Sequence, residues 1–305
     1  MSVSSKTLTV ATRKSQLALW QTHWVCDQLK QEYPSWSINI LPMTTKGDEI
    51  TNIPLYDIGG KALFVNSLEK AMIAKKADIA IHSMKDVPAR LDAPFTLASI
   101  LKRANPEDAL VSNTYSSLES LPKGAVIGTC SVRRKAQLLA YRQDLIIKPL
   151  RGNIPTRLKK LDQGDYDAII VAACALNRLG LQYRAVEIFP IDIMLPAATQ
   201  GAIGIECLAQ DEVLAEALSR VSDTKTTLCI NAERQMVAML NGNCQSPIAA
   251  LATLENNIIT LKGRVLDLLG QTQLEVVEQG PIDQALIIGE RAAVMLLKQG
   301  ARELL

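Results

Sequence analysis

The chain has 305 residues, which is enough for two domains of ordinary size, or three if one is small. Hydrophobic residues make up 48% of the chain and charged residues 21%, which excludes a disordered protein, a fibrous repeat and a highly charged tail. The 33 Lys and Arg residues nearly balance the 31 Asp and Glu residues, so the formal net charge is only +2.

Two features of the chain argue against a membrane or secreted protein. The longest uninterrupted apolar run, 168–176, is less than half of the roughly 20 residues that a membrane-spanning helix needs. Residues 1–12 lack the basic start and long apolar stretch of a secretory signal, and Arg13-Lys14 would interrupt one. We therefore expect a cytoplasmic protein with no membrane partner.

Strands and helices alternate through the first two thirds of the chain. The first unit is predicted to contain strand 8–12, a helix capped by Ser15, strand 37–45, a helix through Phe64, Leu68, Ala71 and Met72, and strand 77–84. The second is predicted to contain strand 125–129, helix 132–142, strand 145–150, helix 155–163 and strand 168–173. This alternation predicts α/β units in which helices cover parallel sheets.

Beyond about residue 222 the order of elements changes. A helix at 225–240 ends in the polar loop 241–247, two or three strands follow in series within 248–277, and a last helix covers 282–297. That order predicts a small α+β domain beside the two α/β units.

Basic residues gather where the predicted strands end. They lie in Arg13-Lys14-Ser15, Lys85-Asp86, 131–135 and Arg151-Gly152-Asn153, with Arg157 about one turn into a helix and Arg178 shortly after strand 168–173. Ligands of open α/β sheets bind at the carboxyl ends of strands, and guanidinium groups suit carboxylates or phosphates. A solvated surface explains any one of these cations, but their repetition at five strand ends predicts a two-sided cleft that binds an anion.

Nucleic acid is the main rival to a small anionic ligand. Aromatic residues make up only 4% of the chain and none interleaves with the arginines, so platforms for stacking bases are missing. A net charge of +2 is also a weak electrostatic footprint, and no G-x-x-x-x-G-K-[ST] phosphate loop is present. We therefore expect no nucleic-acid partner.

Asp86 is an acid inside this basic set. An ionised carboxylate among cations can stabilise a cationic intermediate or move protons, although a helix cap or a simple ion pair explains it equally well. His82, on the apolar strand before it, is predicted to be a buried hydrogen-bonding residue and not a metal ligand.

Six cysteines are scattered along the chain without a C-x-x-C pair, and only His23 and His82 could join them as metal ligands. This spacing predicts neither a disulfide framework nor a metal site. Five are predicted to be small buried apolar residues: Cys26, Cys130, Cys174, Cys207 and Cys229. Cys244 lies in a polar loop, where a thiol can be a nucleophile, an attachment point or merely exposed.

Short motifs along the chain together resemble the porphobilinogen deaminase family. They are 11–20 (ATRKSQLALW), Gly59-Gly60-Lys61, 82–88 (HSMKDVP), 128–134 (GTCSVRR), Leu150-Arg151-Gly152-Asn153, Arg178-Leu179-Gly180, Gln200-Gly201-Ala202 and Cys244-Gln245-Ser246-Pro247. The match follows the family order from residue 8 to residue 303, so the resemblance covers essentially the whole chain.

The resemblance implies two α/β domains similar to periplasmic binding proteins and a small C-terminal α+β domain. Domain 1 would comprise 1–101 and 198–221, domain 2 102–197, and domain 3 222–305. The implied enzyme is a transferase that joins four porphobilinogen molecules head to tail with loss of ammonia, after which water releases hydroxymethylbilane. Its primer is a dipyrromethane cofactor, which the match attaches to Cys244 through a thioether.

The resemblance also assigns roles to the polar residues. Asp86 is the expected catalytic residue, because its carboxylate can stabilise the methylene-pyrrole cation that remains when ammonia departs. The residues expected to bind the cofactor are Cys244, Lys85, Thr129, Ser131, Arg133 and Arg134. The residues expected to bind substrate are Arg13, Ser15, Lys61, Arg151, Arg157 and Arg178. The implied protein is a monomer; the alternative is an inactive homologue that acts as a two-lobed anion-binding module.

Four positions depart from the family pattern, in which glycine is usual: Ala62, Ala175, Thr199 and Asn243. Thr199 is β-branched and lies near the expected crossover between domains, so it would stiffen a hinge there.

Overall fold

The computed structural model describes residues 6–45, 65–243 and 245–305. The predicted site residues Lys61 and Cys244 lie outside these ranges, as do Ala62 and Phe64. The described chain divides into two compact units, one of residues 6–45, 65–103 and 202–227 and one of residues 104–201, 228–243 and 245–305. The three domain boundaries derived above stay a prediction.

The element bounds follow the predicted order with several additions. The strands are β1 (Thr7–Arg13), β2 (Ser37–Met43), β3 (Ile79–Ser83), β4 (Phe95–Ile100), β5 (Asp108–Val111), β6 (Val126–Gly128), β7 (Ile146–Lys148), β8 (Ala168–Ala172), β9 (Ala185–Ile188), β10 (Ile203–Leu208), β11 (Ile248–Glu255), β12 (Ile258–Leu266) and β13 (Gln273–Pro281). The helices are α1 (Gln16–Glu32), α2 (Asn66–Ile73), α3 (Val132–Tyr141), α4 (Ile154–Asp162), α5 (Ala173–Arg178), α6 (Glu212–Ser219), α7 (Thr224–Met239), α8 (Ala285–Lys298) and α9 (Ala301–Leu304), with 3₁₀ turns at Met84–Asp86, Gln182–Arg184 and Ile282–Gln284.

The first unit contains a five-stranded sheet in the order β2-β1-β3-β10-β4. Strand β1 is parallel to both β2 and β3, as predicted, but β10 is antiparallel to both β3 and β4. The expectation of a purely parallel sheet was therefore wrong. A βαβ crossover would make the strands that it connects parallel. Strand β10 follows the long segment of the second unit and is not joined to its neighbours by such a crossover, so it can be antiparallel to them.

Helix α1 begins where the sequence predicts. The Ser15 hydroxyl accepts a hydrogen bond from the Ala18 N–H at 3.2 Å, which satisfies one of the free donors of the first turn. The buried face of α1, with Val25 and Leu29, belongs to the same apolar core as Leu8 and Val10 of β1. This packing fixes the junction between β1 and α1, where Arg13 ends the strand and Ser15 caps the helix.

The second unit contains two sheets. The larger has the order β7-β6-β8-β5-β9, with β6 parallel to β7 and β8, and with β5 antiparallel to β8 and β9. The smaller is the antiparallel sheet β11-β12-β13, which shares an apolar core with α7 and α8. The predicted class, two α/β parts and a C-terminal α+β part, is confirmed, although both larger sheets are mixed.

A buried carboxylate anchors the segment before β10. Glu233 on α7 has no exposed surface, and its two oxygens accept hydrogen bonds from the backbone N–H groups of Thr199 at 2.6 Å and Ala252 at 2.7 Å. Thr199 has a φ of +65°, in the left-handed region where a β-branched residue is strained. The positive φ explains why the family usually has glycine at position 199. The hydrogen bond from the Thr199 N–H to Glu233 helps to hold threonine in this conformation.

We expect Glu233→Ala to lower the free energy of unfolding by about 3 kcal/mol, because two buried N–H groups lose their acceptor. Glu233→Gln keeps one acceptor oxygen and should lose about half as much. The midpoint of urea unfolding measures both effects. Glu290→Ala, at an exposed position of α8, is the control and should stay within about 0.5 kcal/mol of the wild type; an equal loss in Glu233→Ala and Glu290→Ala would contradict the anchoring role.

Within residues 6–45, 65–243 and 245–305, no helix is long and apolar enough to cross a membrane. The same ranges hold no group of three or more His, Cys, Asp and Glu side chains placed to bind a metal ion. Cys26, Cys174, Cys207 and Cys229 are buried as predicted, whereas Cys130 is half-buried because it lies in the loop between β6 and α3.

Candidate active site

The first unit brings the predicted catalytic acid to one edge of its sheet. Because β1 and β3 are parallel neighbours, the residues that follow them emerge at the same edge. Arg13 is the last residue of β1, and Asp86 ends the 3₁₀ turn after β3. Arg13 Nη1 lies 3.5 Å from Asp86 Oδ2, with the two side chains 24% and 31% exposed. The ion pair considered for Asp86 is therefore present, and both of its members remain accessible to a ligand.

The buried residue Met84 anchors the turn that carries Lys85 and Asp86. Met84 is completely buried, and its N–H donates to the Ala202 carbonyl at 3.0 Å. The paired strand β10 makes room for it at Gly204, where a Cβ atom would lie 2.2 Å from the Met84 sulfur. Lys85 and Asp86, which follow Met84 in the turn, are half-buried. The turn is thus fixed by packing, which gives the Asp86 carboxylate a defined position.

His82 is a buried hydrogen-bonding residue, as predicted. Its Nε2 lies 2.8 Å from Glu206 Oε2, and both side chains are at most 5% exposed. The partner Glu206, on β10, was not identified from the sequence because it belongs to a strand that the periodicity did not reveal. In addition, Gln21 of α1 donates from Nε2 to the Ser83 hydroxyl at 2.8 Å. Both residues that precede the turn are therefore held by side-chain contacts.

In the second unit the predicted binding residues also follow parallel strands. Thr129 and Ser131 come after β6, Arg151 comes after the neighbouring β7, and Arg178 ends α5, which follows β8. Ser131 caps α3: its hydroxyl accepts from the Arg134 N–H at 3.4 Å, while its own N–H donates to the Thr129 hydroxyl at 3.1 Å. The sequence reasoning is confirmed in that these residues lie at one edge of this sheet.

Arg133 and Arg134 are almost completely buried, at 4% and 6% exposure. Each donates from Nη2 to a different oxygen of Asp108 at 2.7 Å. Burial alone would raise the pKa of the Asp108 carboxyl, but the two guanidinium groups outweigh burial and hold this pKa far below its usual range. Sequence reasoning missed Asp108; the available signal was a single acid directly before the apolar run 109–111.

The other predicted arginines differ in their surroundings. Arg178 is buried, which lowers its pKa, and it donates from Nη2 to the Gly201 carbonyl at 2.7 Å. Arg151 and Arg157 are half-buried, and Arg157 Nε donates to the Gly152 carbonyl at 2.8 Å. Gly152 has a φ of +110°, and a Cβ atom there would lie 2.8 Å from Thr156. Glycine is thus required for the turn that carries Arg151 into α4.

The charges around Asp108 are suited to an anionic cofactor. Two guanidinium cations share one carboxylate, which leaves one positive charge in excess at a buried position. In the described ranges, Arg134 Nε is buried and has no hydrogen-bond partner. An unmatched buried donor is costly unless a further acceptor reaches it. A group with carboxylate side chains, such as dipyrromethane, fits these residues.

The residues on either side of position 244 form a tight turn. The Asn243 side-chain oxygen accepts from the Gln245 N–H at 2.7 Å, and the Ser246 N–H donates to the Asn243 carbonyl at 3.0 Å. Asn243, one of the positions where the family usually has glycine, therefore uses its side chain to stabilise this turn.

The cations that follow parallel strands in both units are typical of an α/β protein that binds a small polyanionic ligand. Residues 8–216 match the family described as "Porphobilinogen deaminase, dipyromethane cofactor binding domain", and residues 227–298 match "Porphobilinogen deaminase, C-terminal domain". The porphobilinogen deaminase of Legionella pneumophila strain Lens is 46% identical over 304 residues, which is 99% of this chain and 98% of that protein. The porphobilinogen deaminase of Dichelobacter nodosus is 48% identical over 299 residues, or 98% of each chain.

The chain belongs to the porphobilinogen deaminase family. It is a transferase of tetrapyrrole biosynthesis that condenses four porphobilinogen molecules and uses a dipyrromethane cofactor. A periplasmic substrate-binding protein of a Coxiella burnetii ABC transporter is similar in structure, with a TM-score of 0.44 and 14% identity over 70% of this chain and 91% of that one. That distant likeness adds nothing to the assignment.

Proposed function

We propose that the family's reaction proceeds in this chain with Asp86 as the catalytic residue, and that the predicted cations bind the cofactor and substrate carboxylates. The observation that carries this proposal is the arrangement at the edge of the first sheet. There Asp86 lies 3.5 Å from Arg13 in a turn anchored by buried Met84. The carboxylate is therefore fixed in position, paired with a cation and open to a ligand.

The chemical step needs a negative charge at a defined place. When ammonia leaves, the C–N bond of the aminomethyl group breaks with its electrons on nitrogen, and a methylene-pyrrole cation remains. The Asp86 carboxylate stabilises this cation and accepts a hydrogen bond from the pyrrole N–H. A new C–C bond then joins the methylene carbon to the free α-carbon of the growing chain, and that carbon releases its proton. We propose that Asp86 receives this proton.

The bound dipyrromethane supplies the pyrrole carbon to which the first substrate unit is joined. We propose that Cys244 holds it covalently, and that Lys85, Thr129, Ser131, Arg133 and Arg134 bind its polar groups. The buried surplus charge beside Asp108 supports this assignment for the two arginines. Thr129 and Ser131 supply hydroxyl groups beside those cations.

We propose that the remaining cations bind the acetate and propionate groups of the substrate: Arg13, Lys61, Arg151, Arg157 and Arg178, with Ser15 as an additional donor. Support comes from their positions after parallel strands, where helix N-termini also offer free N–H groups. Lys61 lies outside the described residues, and its assignment depends on the family motif alone.

We further propose that the protein is a cytoplasmic monomer with no nucleic-acid or membrane partner. The cysteines in the described ranges are free and mostly buried, which is consistent with a reducing compartment. The weak net charge and the low aromatic content support the absence of a nucleic-acid partner.

The decisive test is to incubate the purified protein with porphobilinogen and to measure three quantities: ammonia release, hydroxymethylbilane formation and the intact mass of the protein. We expect ammonia, product and a stable mass increase equal to two linked pyrroles. Protein without this adduct that nevertheless turns over porphobilinogen would overturn the cofactor assignment. Retention of porphobilinogen without ammonia release would instead identify an inactive anion-binding homologue.

A further inference from the structure

Asp108 occupies a position that none of the predicted roles explains. It is the first residue of β5, in the interior of the larger sheet, and its side chain has no exposed surface. Its Oδ2 accepts from Arg133 Nη2 at 2.7 Å, and its Oδ1 accepts from both Arg134 Nη2 at 2.7 Å and Gln200 Nε2 at 2.9 Å. One carboxylate thus joins two consecutive arginines of α3 to the segment that precedes β10.

Each guanidinium group is also fixed at its second terminal nitrogen. Arg133 Nη1 donates to the Leu195 carbonyl at 2.7 Å, and Arg134 Nη1 donates to the Ile170 carbonyl at 2.8 Å. A guanidinium held at two terminal nitrogens cannot rotate about its long side chain, so the direction of its remaining N–H is fixed as well. For Arg134 that remaining donor is Nε, which is buried and has no partner in the described ranges.

The cluster is specific in geometry but unbalanced in charge. In the described part of the chain, Asp108 is the carboxylate that pairs with these arginines, so one positive charge remains. A purely structural pair would lower its energy with equal numbers of cations and anions. The surplus charge and the unpaired Arg134 Nε are both features that a further anion would satisfy.

We infer that Asp108 is a positioning residue for cofactor loading: it orients Arg133 and Arg134 so that the unpaired Arg134 Nε and the surplus charge of the two guanidinium groups meet the carboxylates of the incoming pyrrole chain. This inference rests on the proposed cofactor-binding role of the two arginines. Errors of about 1 Å in such a constellation are costly, because orientation contributes directly to the rate.

The test compares two substitutions of Asp108 by intact-mass measurement of cofactor loading. Cofactor-free protein is incubated with porphobilinogen, and the fraction that carries the two-pyrrole adduct is followed over time. Asp108→Asn removes the charge and turns one acceptor into a donor that faces an arginine. We expect at least a tenfold slower loading and a Tm lower by about 10 °C.

Asp108→Glu keeps the charge and decides the question if Asp108→Asn does not fold. Its longer side chain displaces the carboxylate by about 1.5 Å, so we expect a Tm within a few degrees of the wild type and still a slower loading. Loading at the wild-type rate in Asp108→Glu would overturn the inference, because it would reduce Asp108 to a counter-ion.

Asp144→Asn is the matched control. Asp144 forms an ion pair with Arg142 just after the end of α3, at 2.5 Å, and its side chain is partly exposed. This variant loses an Arg–Asp pair next to the same helix, and we expect it to load normally. If the wild-type protein acquires no adduct, the proposed function fails. If the wild type and all three variants load alike, only the role of Asp108 fails.

Discussion

Asp86→Asn is expected to reduce kcat by about 10³-fold, while the protein retains its covalent adduct. The amide has almost the same size as the carboxylate but carries no negative charge. It therefore cannot stabilise the methylene-pyrrole cation or accept the proton that the new C–C bond releases. The measurements are the intact mass of the variant and the steady-state rate of hydroxymethylbilane formation.

Two controls separate chemistry from ion pairing at this position. Arg13 is the partner of Asp86, at 3.5 Å, so Arg13→Ala removes the same ion pair without touching the carboxylate. We expect Arg13→Ala to raise KM more than it lowers kcat, whereas Asp86→Asn acts mainly on kcat. Asp92→Asn, at an exposed position of the same unit, should have wild-type kinetics. Near-normal kcat in Asp86→Asn would remove Asp86 from the mechanism.

Cys244→Ala is expected to abolish both the adduct and product formation, because no other thiol replaces the attachment point. The mass of the purified variant should equal that of the bare chain. Cys130→Ser is the matched control, since Cys130 is half-buried in the loop between Thr129 and Ser131. We expect that variant to carry the full adduct; loss of the adduct in Cys130→Ser with retention in Cys244→Ala would exchange the two assignments.

Alkylation of the cysteines of the native protein near neutral pH tests attachment through Cys244 without a mutation. Burial raises the pKa of the Cys26 and Cys207 thiols to about 11, so neither forms the reactive thiolate. Cys130 is the thiol expected to react in loaded protein, and cofactor-free protein should incorporate a second label. A second label in fully loaded wild-type protein would contradict attachment through Cys244.

The sequence predicts the elements that have a strong local signal. Ser15 caps α1 as expected, and the bounds of α3, α4 and β8 lie within two residues of the predicted ones. Strands β4, β5, β9 and β10 were missed, because runs of four to six residues in a mixed sheet carry little periodicity. The direction of β10 depends on a neighbour that is distant in sequence, so no local pattern reveals it.

The candidate site divides in the same way. Arg13, Asp86, Ser131 and Arg151 were predicted because each lies at or after the end of a predicted strand. The structure has them at or after the ends of β1, β3, β6 and β7, and their roles stay a prediction. Asp108 and Glu206 were missed, because an acid inside a buried strand is recognisable only when its partner is known. These partners lie 25 and 124 positions away along the chain, respectively. Lys61 and Cys244 rest on the family motifs alone.

The position of β10 has a consequence for how the protein is made. The first sheet has β10 between β3 and β4, and the N–H of Met84 bonds to Ala202 just before that strand. During synthesis the ribosome must therefore complete more than 200 residues before this sheet can close. At ordinary rates of translation the nascent sheet waits on the order of 10 s with two unpaired strand edges. The turn that carries Asp86 therefore acquires its contact with Ala202 only after about two thirds of the chain has been made.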